Sequence, residues 1–219
     1  MEGLIVKKYI RGFILCSALF LSGCTFGSKT DEELSKVLTE MNNAEEVYRD
    51  SQSELHALEQ TEQSLFKEII ELTQEDEGEL SKKVGEIEKL LEQRLVHIEE
   101  EEDSMKKALK SVEPLDSIVV KAEEDIKGEV EKLRDTASDR YALHATFVEE
   151  YKRLIEAQKE LYEMLIVEDI DLSTLEKQVD EINKQNETVR SAIETFNEAT
   201  VSLNQLKDET FSFLKKSDE

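Results

Sequence analysis

Residues 34–72 read LSKVLTEMNNAEEVYRDSQSELHALEQTEQSLFKEIIEL, and their apolar residues step along the chain by three and four. Leu34, Val37, Met41, Ala44, Tyr48, Leu55, Leu58, Leu65, Ile69 and Leu72 hold the two seam positions of successive heptads, with Ser51 and Glu62 as polar entries. A seam kept over about six heptads predicts a long helix packed in coiled-coil fashion, because a period near 3.5 holds one stripe against a partner. The flanking positions are charged, as solvated helix faces are.

The same pattern spreads outward from that stretch. After Gln74–Gly78 it resumes as Leu80, Val84, Ile87, Leu91, Arg94, Ile98, Glu101, Met105, Ala108, Val112, Leu115, Val119, Ala122 and Ile126. It continues through Val130, Leu133, Ala137, Tyr141, His144, Val148, Tyr151, Ile155, Gln158, Tyr162 and Leu165. Gly78 reads as a turn or cap residue, and Pro114 as a kink or a helix start, since its ring cannot donate to the ladder. Glu168–Asp171 breaks the pattern again, and Ser173 followed by Glu176 reads as a capping box for a last helix. That helix carries Leu175, Val179, Ile182, Val189, Ile193, Phe196, Leu203, Leu206 and Phe213. The outer helices are about 45 residues each and the middle segment, 79–167, is twice as long. The expectation is therefore an all-α, up-and-down bundle of long antiparallel helices with coiled-coil-like packing. Four helices follow if the middle folds between Val112 and Gly128; three helices, with one very long central helix, are the alternative.

Composition narrows the function. The 219 residues carry 52 acidic and 28 basic side chains, a formal charge of −24. A nucleic-acid binder needs a basic footprint, so nucleic acid is excluded as a partner. Two cysteines cannot build a disulfide scaffold. A mean hydropathy of −0.53 leaves no room for several membrane spans.

The first residues read as an address. Lys7, Lys8 and Arg11 precede the apolar run Gly12–Leu21, which is too short to span a bilayer and suits a signal peptide. Leu21-Ser22-Gly23-Cys24 resembles the bacterial lipobox, small residues before a cysteine. The resemblance implies diacylglycerol attached to Cys24 Sγ and cleavage between Gly23 and Cys24. Two acyl chains give stable anchoring where one is marginal. Residues 1–23 are then the signal peptide, 24–30 the lipidated cysteine and a short tether, and 31–216 a single helical domain. Cleavage removes three bases and Glu2, so the mature charge becomes −26. The expected location is the outer face of the cytoplasmic membrane, facing the cell wall, with no cofactor beyond the lipid.

Candidate chemistry is sparse. If the first two helices fold back near Gly78, His56 and His97 fall at one level, with Glu59 and Glu100 near enough to complete a divalent-metal site. The competing reading makes both histidines ordinary boundary residues beside Leu55 and Ile98. Asp169 to Asp180 has the start of a calcium-loop rhythm but lacks the turn glycine, and a cap at Ser173 accounts for it better. The acid run Glu99–Asp103 reads as a solvated face. Glu62, Arg94, Glu101 and other polar seam residues read as register-fixing devices. The sequence contains no His-Glu-x-x-His, no Gly-x-Ser-x-Gly and no glycine-rich phosphate loop, so no enzyme is expected. Trp is absent and four of the five tyrosines sit on the seam, which argues against an aromatic glycan platform.

The lipobox followed by one acidic, glycine-poor helical domain is similar to the YkyA-like family of Gram-positive envelope lipoproteins, described as cell-wall-binding. The resemblance implies a wall-binding role and brings no catalytic residues. Charge bears on how that role would work. A domain at −26 is repelled by anionic wall polymers and lipid headgroups. Divalent cations bridging to peptidoglycan, or an envelope protein, are the expected partners, and self-association through the seams is a further expectation.

Overall fold

The structure is a computed structural model that describes residues 29–73 and 76–217. Cys24, Gly23 and the rest of the signal and tether lie outside the described residues. Six helices form four long limbs: α1 Lys29–Ala44 with α2 Glu46–Ile69, α3 Glu77–Lys110 with α4 Pro114–Lys121, α5 Glu124–Leu165, and α6 Leu172–Ser217. The chain runs up, down, up and down, and each limb is about 60–70 Å long at ~1.5 Å per residue. The end holding Lys29, Lys121, Glu124 and Ser217 is called proximal, and the end holding the 70–76 and 166–171 connections distal.

The seam explains why these limbs bury one another. Every residue of its first two stretches is buried or half-buried. Leu34, Met41, Met105, Leu115, Val130, Leu133 and Phe196 build a proximal core shared by all four limbs. Leu55, Ile69, Val84, Ile87, Ile98, Val148, Tyr151 and Tyr162 build a distal core. There α6 contributes only half-buried residues, lying on α5 as an outer strap from Leu172 to about Ile193. Gln178 Nε2 donates to the Ala157 carbonyl (2.7 Å) and Gln185 Nε2 to that of Glu150 (2.9 Å), tying the strap down.

The middle segment is two limbs, not one continuous helix. It reverses at Ala122 and Glu123, two residues in extended conformation with ψ of 145° and 152°. No glycine or proline marks this reversal. Gly128, flagged in the sequence, lies inside α5. Pro114 does start a helix, as the first residue of α4. Gly78 lies in the first turn of α3 rather than in the connection. Asp76 closes that connection instead, its Oδ2 accepting from the N–H and hydroxyl of Thr73. The last helix begins at Leu172, one residue before Ser173. Thr174 and Leu175 donate to the Asp171 carbonyl, so Asp171 takes the capping place and Ser173 sits inside the first turn. Asp169 in the same connection has φ of 60°, a left-handed conformation that Asp tolerates better than most residues.

The first limb is broken at Glu45, where φ and ψ are −85° and 4°. The cause is a side chain from α3. Ser104 Oγ donates to the Ala44 carbonyl (2.6 Å) and accepts from the Tyr48 N–H (3.1 Å), entering the helical ladder between them.

Candidate functional site

The polar seam positions meet across limbs in three layers. In the distal layer Arg94 of α3 is 2% exposed. Its Nη1 pairs with Glu62 of α2 and with Gln158 Oε1 of α5. Arg94 Nε donates to the Tyr151 hydroxyl (3.0 Å), which donates on to Glu59 (2.5 Å). Tyr162 OH and Gln158 Nε2 donate to the same Glu62 oxygen at 2.9 and 3.1 Å. Burial works against the Arg94 cation, but Tyr151, Glu62 and Glu59 outweigh it and hold the guanidinium protonated. Burial, with Glu59 beside it, pushes the Tyr151 hydroxyl far up, so it stays a neutral donor.

The middle layer centres on His144 and Glu101, both essentially without solvent exposure. His144 Nε2 stands 2.6 Å from Glu101 Oε1, and Gln52 Nε2 donates to the other oxygen at 2.5 Å. Rings of Tyr48, Phe147 and Phe196 surround the imidazole at 5.5, 5.9 and 5.2 Å between centroids. In the third, proximal layer, Arg140 grips Glu45 with both terminal nitrogens (2.7 and 3.2 Å) and donates from Nε to Thr200 (2.8 Å). Tyr141 OH donates to Glu45 at 2.6 Å. Burial, then the Glu45 charge, raises the Tyr141 hydroxyl well above its ordinary value.

Sequence reasoning had singled out Glu62, Arg94, Glu101, His144 and Gln158 as polar seam entries, and the structure pairs them across limbs. It missed Glu45 and Arg140, which flank the seam. The available signal was Arg140 standing beside the seam residue Tyr141. The acid run Glu99–Asp103 is not wholly a solvated face, because Glu101 points into the core.

His56, His97, Glu59 and Glu100 do not come together as one cluster. His56 Nε2 is hydrogen-bonded to Gln60 one turn on (2.8 Å), and His97 Nδ1 lies 3.1 Å from Glu100 on its own helix. Glu59 is drawn to Tyr151 and Arg94 instead. Among the described residues, no three His, Cys, Asp or Glu side chains converge as metal ligands. None of the described helices is long and apolar enough to cross a membrane.

Chemically, the three layers are closed. Among the described residues, no buried side-chain nitrogen or oxygen lacks a partner. An open groove of about 540 Å³ between α5 and α6 has Leu143 and Ala192 among its lining, with Thr146, Glu150, Lys184 and Glu187, and no aromatic ring for stacking a sugar.

The molecule is an acidic, all-α four-limb bundle whose buried charge layers are satisfied among the described residues. The chain belongs to the YkyA family, whose profile, described as "Putative cell-wall binding lipoprotein", matches residues 29–212. It is 26% identical over 201 residues to the uncharacterized lipoprotein YkyA of Bacillus subtilis (strain 168), covering 91% of this chain and 90% of the relative. It also resembles the 1.6 Å crystal structure of a conserved Staphylococcus aureus protein of unknown function. The TM-score is 0.71 at 18% identity, over 86% of this chain and 98% of that one, a likeness of fold alone.

Proposed function

We propose that this protein is a non-enzymatic, lipid-anchored spacer on the outer face of the cytoplasmic membrane, held by diacylglycerol on Cys24. Its acidic faces would meet the cell wall through bridging divalent cations, or through an envelope protein. The observation that carries the reading is the placement of Lys29. It starts α1 at the proximal end, five residues after Cys24, so the distal connections stand about 60 Å further along the rod. Family membership supports the envelope setting. The satisfied polar layers support a rigid scaffold over a reaction centre, because among the described residues every buried side-chain nitrogen and oxygen is already engaged by a protein partner.

The test is co-sedimentation of the purified protein with cell-wall sacculi, with calcium or magnesium and with EDTA. Pelleting that needs the cation supports bridging by the acidic faces. Pelleting that ignores EDTA replaces bridging with a direct wall contact. No pelleting in any condition rules out wall binding and leaves the protein-partner form of the proposal.

A further inference from the structure

The distal end carries apolar side chains that the fold does not bury. Ile70, Ile166, Val167 and Leu172 are 65, 46, 53 and 62% exposed. They share one end of one level. The rings of Phe66 and Tyr162 pack edge to face at 6.1 Å, and Ile70 and Ile166 lie one turn beyond each of them. Leu172 opens α6 after the short connection that follows Ile166. Isolated exposed apolar residues are ordinary, but several together at one tip mark an interaction surface.

Charge selects the occupant. Glu71, Glu168, Asp169 and Asp171 are exposed around these residues. Neither 68–81 nor 160–176, the stretches that supply the tip, contains a Lys, Arg or His. A second copy meeting tip to tip would press acids against acids. Anionic lipid headgroups and anionic wall polymer meet the same repulsion from the acids around the four side chains. We propose that the distal tip docks a cationic segment of another protein, one that interleaves Lys or Arg with apolar side chains. Such a segment would cover Ile70, Ile166, Val167 and Leu172 while its bases meet the acids, so both the hydrophobic and the electrostatic terms favour contact. The distance of the tip from the membrane rests on the anchor reading above; the docking does not.

Site-specific photo-crosslinking tests this in the host that makes the protein, with the full chain. The photoreactive residue p-benzoylphenylalanine replaces Ile166 or Leu172. A control chain carries it at Val120, which is 82% exposed at the proximal end. After illumination the adducts are digested and the attached segment is identified by mass spectrometry. The expected result is a protein adduct at both tip positions and not at Val120, mapped to a segment of net positive charge with apolar residues. Asp169→Lys with Asp171→Lys, added to the Ile166 probe, should cut the yield about tenfold, since like charges then face each other across the contact. Equal adducts at Val120 would overturn the proposal. So would no adduct, an acidic mapped segment, a second copy of this chain, or a lipid or glycan adduct. Circular dichroism of each purified variant confirms that the bundle is intact. Failure of the anchor reading is visible separately, as unchanged membrane retention when Cys24→Ala is introduced.

Discussion

Arg94 shows what a charge inside this seam costs and what it secures. Its guanidinium is shared by Glu62, Glu59, Tyr151 and Gln158, so it links α3 to both α2 and α5. Removing one partner of a buried pair strands the other, which costs about 3–5 kcal/mol, whereas replacing both with apolar groups is often neutral or better. Arg94→Met alone should therefore lower unfolding stability by about 3–5 kcal/mol in urea denaturation. Adding Glu62→Leu to Arg94→Met should recover most of that loss. If the double variant is no more stable than Arg94→Met, the layer depends on more than this pair. Lys207 is the opposite case, a cation with 9% exposure and no carboxylate within ion-pair distance among the described residues. Burial pulls its pKa below the ordinary 10.5, with Asp208 opposing weakly. Below the folded pKa, the native state bears the full cost of the buried charge. Between the folded pKa and 10.5 the unfolded chain binds more protons, so native stability rises with pH there. Lys207→Met should accordingly be more stable than the parent at pH 7. That advantage should shrink as both are measured nearer pH 10.5; a gain that does not depend on pH would point to packing alone.

The helices show why some features were legible in the sequence and others were not. The heptad text set the class of fold and located the buried stripe of the first three limbs, because apolar spacing reports directly on which face is dry. It failed along the end of α6. There the seam runs Phe196, Leu203, Lys207, Thr210, Leu214, all buried, while Leu206 is half-buried and Phe213 exposed. Two polar residues at seam positions hid the true register, and two neighbouring apolar residues supplied a false one. The reversal at Ala122 and Glu123 was hidden for a different reason. Two extended residues suffice to turn an antiparallel pair, and neither needs a positive φ, so no glycine or proline is required. The break at Glu45 was illegible for a third reason, since its cause, Ser104, comes from another limb. The four candidate metal residues do not converge among the described residues. His56 and His97 are each engaged along their own helices, and helical spacing alone does not say which way a boundary residue turns.

The acid excess acts on the molecule as a whole. The chain has 52 acidic and 28 basic side chains, and most of its ion pairs are exposed or half-exposed, such as Lys36 with Glu40 and Lys159 with Glu163. Exposed pairs contribute little, so the balance of surface charge is self-repulsion that opposes the compact state. Screening weakens the long-range repulsion of the excess acids more than it weakens attraction within close pairs. Between 0.1 and 1 M NaCl the Debye length falls from about 10 Å to about 3 Å, and the thermal midpoint should rise over that range. Calcium should raise it further than NaCl of equal ionic strength, because a divalent ion can sit between two carboxylates of neighbouring turns. The rise should be graded, without a one-to-one endpoint, and equal in His97→Ala, since no described cluster converges on an ion. Calorimetric titration distinguishes the two cases. A shallow isotherm unchanged by His97→Ala fits a diffuse acidic surface, the property that bridging to an anionic wall requires. A sharp stoichiometric isotherm lost in that variant would instead place a metal at His56 and His97 and make cation binding local.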